Sequence, residues 1–77
     1  MIELITIKNE DSQYLSELDH NQYPVFTNNI MKIMSFKDLE DAELFSSEYL
    51  NDIDCFEIID LKMNINLDET TLKTINY

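Results

Sequence analysis

The fold is decided by residues 35–50, whose sequence is SFKDLEDAELFSSEYL. At about 100° per residue, a helix over residues 38–50 collects its apolar side chains into one stripe, made of Leu39, Ala42, Phe45, Tyr49 and Leu50. Ser35, with Asp38 three residues later, resembles a capping box, and carboxylates early in the helix favour the positive end of its dipole. The pattern predicts a helix with one side against a sheet.

Short strands are predicted on either side of this helix. Residues 2–8 and 13–18 are rich in β-branched and apolar side chains and are separated by a polar turn. Pro24 cannot donate to a ladder, so the short extended piece of residues 23–27 lies at a sheet edge or enters one. Residues 55–65 alternate in their second half, with Ile59, Leu61, Met63 and Ile65 on one side. Because the chain has no glycine, we expect Asn or Asp at any left-handed turn position.

The order strand, strand, short strand, helix, strand predicts a small α+β domain. We expect an antiparallel sheet of three to four strands with one main helix packed across it. Residues 1–66 form the expected single domain. Residues 67–77 are a C-terminal tail that is either a short helix, from the spacing of Leu67, Leu72 and Ile75, or a frayed end. Seventy-seven residues build one modest core and leave little room for an enclosed active-site cavity.

The net charge of this chain is unusually negative. Sixteen Asp and Glu face five Lys, which gives a net charge of −11 and a pI near 4.1. A net charge of about 2–8 in magnitude is enough to keep a small domain soluble. Phosphate-bearing partners are repelled, so direct binding of nucleic acid or of an anionic membrane is disfavoured. A partner with a basic surface is the natural complement.

The remaining composition points to the cytoplasm. A single cysteine, Cys55, excludes an internal disulfide and fits a reducing compartment. The first residues lack the basic region of a signal peptide. No apolar run approaches the roughly 18–20 residues of a membrane span.

Catalytic and cofactor sites are not predicted. Asp52, Asp54, Glu57 and Asp60 lack the glycine and the final glutamate of an EF-hand loop. His20 and Cys55 are the only soft metal ligands, and acidic neighbours raise the pKa of the Cys55 thiol. The absence of glycine excludes phosphate-binding loops. Paired carboxylates could serve a hydrolase, but that chemistry needs a cleft. We therefore expect no enzyme, no metal and no cofactor.

The acidic segment, residues 38–60, is the strongest functional signal. It holds nine of the sixteen acids and no lysine, namely Asp38, Glu40, Asp41, Glu43, Glu48, Asp52, Asp54, Glu57 and Asp60. Leu44 points away from the apolar stripe, into the acidic side of the helix. Carboxylates three or four residues apart stand about 5–6 Å from each other, a spacing comparable to that of backbone phosphates. Such a face suits the basic groove of a nuclease, and the alternative is an ordinary solvated surface. The candidate partner-binding residues are Asp38, Glu40, Asp41, Glu43, Leu44, Glu48, Asp52 and Asp54.

The order of these segments resembles that of small phage-encoded proteins. A strand ends in Lys8-Asn9-Glu10-Asp11, a strand with Tyr14-Leu15 follows, and then come residues 24–30. Phe36 leads into an acidic helix with a central alanine, residues 38–43, and a final strand closes the similarity, which covers roughly residues 2–65. Some small acidic phage proteins of this size are anti-CRISPR or anti-restriction inhibitors, and several of these imitate DNA.

The resemblance and the charge together predict an inhibitor that acts in the host cell cytoplasm. Its partner would be a host nucleic-acid-handling defence protein, either a CRISPR effector or a restriction nuclease, whose basic groove it occupies as a DNA mimic. The second hypothesis is a structural or assembly module that self-associates, as a homodimer, through a sheet edge or through the methionine-rich segment around Met31 and Met34.

Overall fold

Five strands and one helix make up residues 2–76, the part of the chain that the computed structural model describes. The elements are β1 (Ile2–Asn9), β2 (Tyr14–Leu18), β3 (Pro24–Thr27), a 3-10 turn (Ile30–Lys32), α1 (Leu39–Tyr49), β4 (Cys55–Met63) and β5 (Leu67–Asn76). The strands form one antiparallel sheet in the order β3-β2-β1-β4-β5. The α+β class is confirmed, but the sheet has five strands rather than the predicted three to four.

The additional strand comes from the C-terminal tail. Residues 67–76 form β5 rather than a short helix or a frayed end, and they pair with β4 from Leu67 opposite Met63 to Asn76 opposite Cys55. The run of β-branched residues here favours an extended chain, and pairing along the whole of β4 outweighs the weak helical spacing. Tyr77, the last residue of the predicted tail, lies outside the described residues.

Both hairpin turns of the β1-β2-β3 meander are built in the same way. In the first turn, the side-chain oxygen of Asn9 accepts hydrogen bonds from the N–H groups two and four residues later, at 3.0 and 2.9 Å. Asp19 repeats this in the second turn at 2.8 and 3.0 Å. Ser12 and Gln22 have φ angles of 61° and 69°, as expected for a three-residue loop with one left-handed position. The prediction that Asn or Asp takes these positions is wrong, because Asn9 and Asp19 act three residues earlier as acceptors.

The space between β1 and β2 is filled by the chain that precedes α1. The Met34 N–H donates to the Leu15 carbonyl, and the Phe36 N–H donates to the Ile5 carbonyl, each at 2.8 Å. The buried Thr6 hydroxyl donates to the Met34 carbonyl at 2.7 Å. These bonds fix the start of α1 relative to the centre of the sheet.

The helix begins one residue later than its predicted first residue. Asp38, rather than Ser35, is the N-cap, and its side chain accepts a hydrogen bond from the Asp41 N–H at 2.9 Å. Only an N-cap side chain reaches the free N–H groups of the first turn, and the chain at Ser35 is still engaged in crossing the sheet. The N-cap therefore lies three residues after the predicted Ser35.

The predicted apolar stripe of α1 is the buried side of the helix. Ala42 and Leu50 are fully buried in one cluster with the sheet residues Ile7 and Phe56. Phe45 packs its ring 5.1 Å from that of Phe36 and 4.9 Å from that of Tyr49, measured between ring centroids. Ser46, which the sequence did not mark, is also buried, and its hydroxyl donates to the Glu43 carbonyl at 2.9 Å.

A second apolar cluster lies on the opposite face of the sheet. Its buried members are Tyr14, Ile59 and Leu61, and Met63 packs against them. The predicted alternation of β4 is confirmed for residues 59–63. Ile65 departs from it, because β4 ends at Met63 and Ile65 is 92% exposed in the turn before β5.

Candidate functional site

The outer face of α1 is the surface that the sequence marked most strongly. It is defined here by Asp38, Glu40, Asp41, Leu44 and Glu48. All are exposed except Asp41, which is half-buried. The buried stripe of the same helix forces this arrangement, because carboxylates cannot enter the core without a partner. Leu44 is 61% exposed among them, so an apolar side chain stands within an acidic face, as predicted.

Glu43 departs from the prediction of an acidic helix face without lysine partners. Its Oε2 lies 2.8 Å from the Nζ of Lys73, which is on β5 and thirty residues away in sequence. The helix turns Glu43 to the side that faces this edge of the sheet. The ion pair offsets part of the charge of Glu43, and the acidic face therefore rests on the other helix residues.

Asp52 and Asp54 belong to a different surface from the outer face of α1. They lie in the loop between α1 and β4 and line a groove of about 320 Å³ together with Glu10 and Asp11 of the β1-β2 turn. The groove is also lined by Pro24, Phe26 and Ile53, which supply apolar walls. None of the candidate residues on α1 lines it. The structure thus places five of the eight candidate residues on the outer face of α1 and two in this groove, while Glu43 lies apart from both, against Lys73 of β5.

Glu10 and Asp11 are the acidic residues that the sequence analysis missed. Antiparallel pairing places the end of β1 beside the start of β4, with Asn9 opposite Phe56. The turn after β1 and the loop before β4 are therefore neighbours, although more than forty residues separate them in the chain. The signal that could have found them is the pairing of β1 with β4.

Glu57 and Asp60 complete the acidic segment, and they add to neither of these surfaces. Both are half-buried in β4 and separated by three positions, which places them on opposite faces of the sheet. Asp60 Oδ1 is buried and has no hydrogen-bond partner within residues 2–76. The segment of residues 38–60 is consequently continuous in sequence but not in space.

Cys55 lies between two grooves and is half-buried. Burial raises the pKa of its thiol, and the charge of Glu10, a hydrogen bond with Glu10 and the charge of Glu57 raise it further. The thiolate is the reactive form of cysteine, so these surroundings favour an inert thiol. The sequence predicted the direction of this effect and missed Glu10 as its main charged source.

Two ion pairs are present in residues 2–76: the pair of Glu43 with Lys73, and a pair formed by Glu69. Its two oxygens accept from Lys8 Nζ and from the Tyr14 hydroxyl, each at 2.8 Å. Burial alone would raise the Glu69 pKa, but the bonds from Lys8 and Tyr14 and the charge of Lys8 lower it overall. Burial and Glu69 together raise the pKa of Tyr14 to about 12. This network ties β5 to β1 and β2 and serves the fold rather than the acidic surfaces.

Within residues 2–76, no group of three or more His, Cys, Asp or Glu side chains is arranged to hold a metal ion. His20, the only histidine, is exposed in the β2-β3 turn. Over the same residues, no helix has the length and apolar character needed to cross a membrane.

Comparison with known proteins leaves the family of this chain open. No family model matches the sequence, and neither the curated proteins nor the solved structures give a match. Function must therefore be inferred from the surfaces themselves.

Proposed function

We propose that the protein is a non-enzymatic inhibitor of phage type that binds a host nucleic-acid-handling defence protein through the outer face of α1. The partner is a CRISPR effector or a restriction nuclease in the host cell cytoplasm, and the helix occupies its basic groove in place of DNA. The observation that carries this proposal is a set of exposed carboxylates around the exposed Leu44, on a chain with a net charge of −11.

The dimensions of α1 support a contact about half a turn of DNA long. Eleven helical residues at about 1.5 Å each span roughly 16 Å. One DNA strand places about five phosphates over that distance, at about 3.4 Å each along the axis. Glu40 and Glu48 are eight residues apart, which is about 12 Å along the helix axis, so Lys and Arg side chains arranged for every third or fourth phosphate would meet their carboxylates.

The residues of the helix are expected to contribute unequally. Glu40 and Glu48 are exposed on either side of Leu44 along the helix and have no ion pair within residues 2–76. Glu43 contributes less because Lys73 already offsets its charge. Leu44 supplies an apolar contact at the centre, where removal from water adds most to affinity. Carboxylates at the rim chiefly accelerate encounter and set specificity.

The groove with Asp52 and Asp54 gives the partner a second acidic surface. Glu10 and Asp11 double its number of carboxylates, and Phe26 offers an apolar wall for the aliphatic part of a Lys or Arg side chain. We assign it a supporting role, since it lies in loops at one end of the sheet.

The proposal is tested by reversing charge on the helix while holding total charge equal elsewhere. Affinity purification from lysates of candidate host cells, followed by mass spectrometry, first identifies the partner. The test variant carries Glu40→Lys and Glu48→Lys, and the control carries Glu3→Lys and Glu17→Lys, two exposed positions on strands. Each reversal adds two charges, so both variants change the net charge from −11 to −7.

We expect the helix variant to lose at least about tenfold in affinity and the control to lose far less, because local charge pairs rather than net charge decide the contact. Affinity of the natural chain should fall steeply as salt rises. Equal losses in the two variants, or a helix variant that binds as the natural chain does, would refute the role of α1.

A further inference from the structure

The two edges of the sheet are protected to different degrees. β3 is four residues long, begins with Pro24, and meets β2 across an irregularity between Leu15 and Glu17. Short length, proline and a bulge are the usual means by which proteins prevent an edge from pairing with another chain. β5 is ten residues long and contains no proline, although its pairing with β4 also shifts register at Leu72, which has no opposite residue on β4. Residues 2–76 place no strand on its outer side.

The outer side of β5 is open along its whole length. Every residue from Leu67 to Asn76 is exposed except Ile75, which is half-buried. Lysine is the residue that most often blocks an edge, but Lys73, the one lysine of β5, extends towards Glu43 of the helix. A row of main-chain N–H and C=O groups is thus available to another strand.

We propose that β5 pairs antiparallel with β5 of a second copy of the chain, joining two five-stranded sheets about a twofold axis. The charges of the strand select this occupant. Asp68 stands near its start and Lys73 near its end, and the ammonium of Lys73 has donors beyond the one that it gives to Glu43. Antiparallel pairing brings the acidic start of each strand beside the basic end of the other, twice per dimer, whereas parallel pairing would align like charges.

The geometry places the complementary side chains on one face of the joined sheet. Asp68 lies opposite Lys62 of β4, and Lys73 lies opposite Ile58, which belongs to the cluster beneath α1. Residues 58 and 62 of a strand point to the same face. Asp68 and Lys73 therefore both lie on the face that carries α1. A twofold axis perpendicular to the sheet keeps this face common to both copies and leaves both α1 helices uncovered.

Self-pairing and the proposed inhibitor function predict opposite responses to salt. Two copies at −11 repel each other. The Debye length is about 30 Å at 0.01 M salt and about 8 Å at 0.15 M. The molecule measures 35 × 23 × 23 Å, so at the higher salt most charges of one copy are screened from those of the other, while contacts between paired strands are not. Dimerisation should strengthen with salt, whereas binding of a basic partner should weaken.

The test measures the mass of the full chain by sedimentation velocity and light scattering, at about 0.01 M and 0.3 M salt. Asp68→Lys and Lys73→Asp are each expected to weaken the dimer by about tenfold, because each replaces attraction with repulsion at two symmetric places. Glu3→Lys, which changes the net charge as Asp68→Lys does, is the control. Circular dichroism establishes that each variant is folded.

Mixing the two variants gives the decisive result. At positions 68 and 73, one variant then carries two positive charges and the other two negative ones, so the pair should form a heterodimer although neither forms a homodimer. A natural chain that is monomeric at both salt concentrations would overturn the proposal and leave the edge to a strand of another protein. Asp68→Lys dimerising as well as the natural chain, or a mixture that stays monomeric, would overturn it too. None of these outcomes bears on α1.

Discussion

Replacing Tyr14 with Phe should expose how much the network around Glu69 stabilises the fold. Tyr14 is 8% exposed, and its hydroxyl donates to Glu69 at 2.8 Å. The pKa of Tyr14 is raised from 10.0 to about 12. Burial is the largest cause of this rise, so the shift does not measure the bond itself; a hydrogen bond to a charged group contributes about 1.5–3 kcal/mol. The side chain of Glu69 is 28% exposed, so water weakens the bond, and we expect a loss of about 1–2 kcal/mol at pH 7.

The dependence on pH follows from the direction of the Tyr14 shift. Because the pKa of the folded state is raised, this stabilisation is fully present below pH 10 and is lost as pH rises through about 12. Urea unfolding of the natural chain and of Tyr14→Phe, compared at each pH, gives the difference in the free energy of unfolding. That difference should shrink across this range. Tyrosinate absorbance should likewise lose its late-titrating component in the variant.

Two results would refute this account of Tyr14. The first is a change in the free energy of unfolding of only a few tenths of a kcal/mol at pH 7. The second is a titration in which the Tyr14→Phe variant keeps the late component. The first would mean that the hydroxyl exchanges Glu69 for water without cost, and the second would mean that the late component belongs to another tyrosine.

Three further substitutions test the helix and the network. Asp38→Ala removes the N-cap bond to Asp41 and should cost about 1 kcal/mol in urea unfolding; no change would place the cap elsewhere. Leu50→Ala opens a cavity in the cluster beneath α1 and should cost about 2–5 kcal/mol, and a cost below 1 would contradict its burial. The Glu69 pKa is lowered, so its contribution is present above its ordinary value of 4.5 and lost as pH falls below it. Glu69→Gln should remove that acid dependence, and an unchanged pH profile would argue against the bond to Lys8.

Local sequence patterns predicted the elements in which buried side chains recur every few residues. The stripe of α1 and the alternation in β4 are such patterns, and both are present in the structure. The spacing of the apolar residues in β5 led to the wrong prediction of a short helix or a frayed end. An edge strand that is exposed on most sides needs no apolar repeat, so Leu67, Leu72 and Ile75 carried no information about the strand. Its extended form depends on β4 as a neighbour, which no local pattern reveals.

The candidate site shows the same limit. Leu44 could be placed on the outer face of α1 because helical geometry alone determines the direction of its side chain. The groove around Asp52 could not be assembled, since Glu10 reaches it only through the pairing of β1 with β4. The partner of Glu43 was missed for a similar reason, because Lys73 lies on the strand that the sequence did not reveal.

The central position of β1 determines when the sheet can form during synthesis. Ile2 pairs with Met63, so the ladder at the middle of the sheet joins residues that are 61 positions apart. Closing so long a loop costs entropy before any contact repays it, and chains rich in such contacts fold slowly. During synthesis, the β1-β2-β3 meander emerges first but must wait for β4 before its inner strand is covered. The sheet should therefore form only once β4 has left the ribosome.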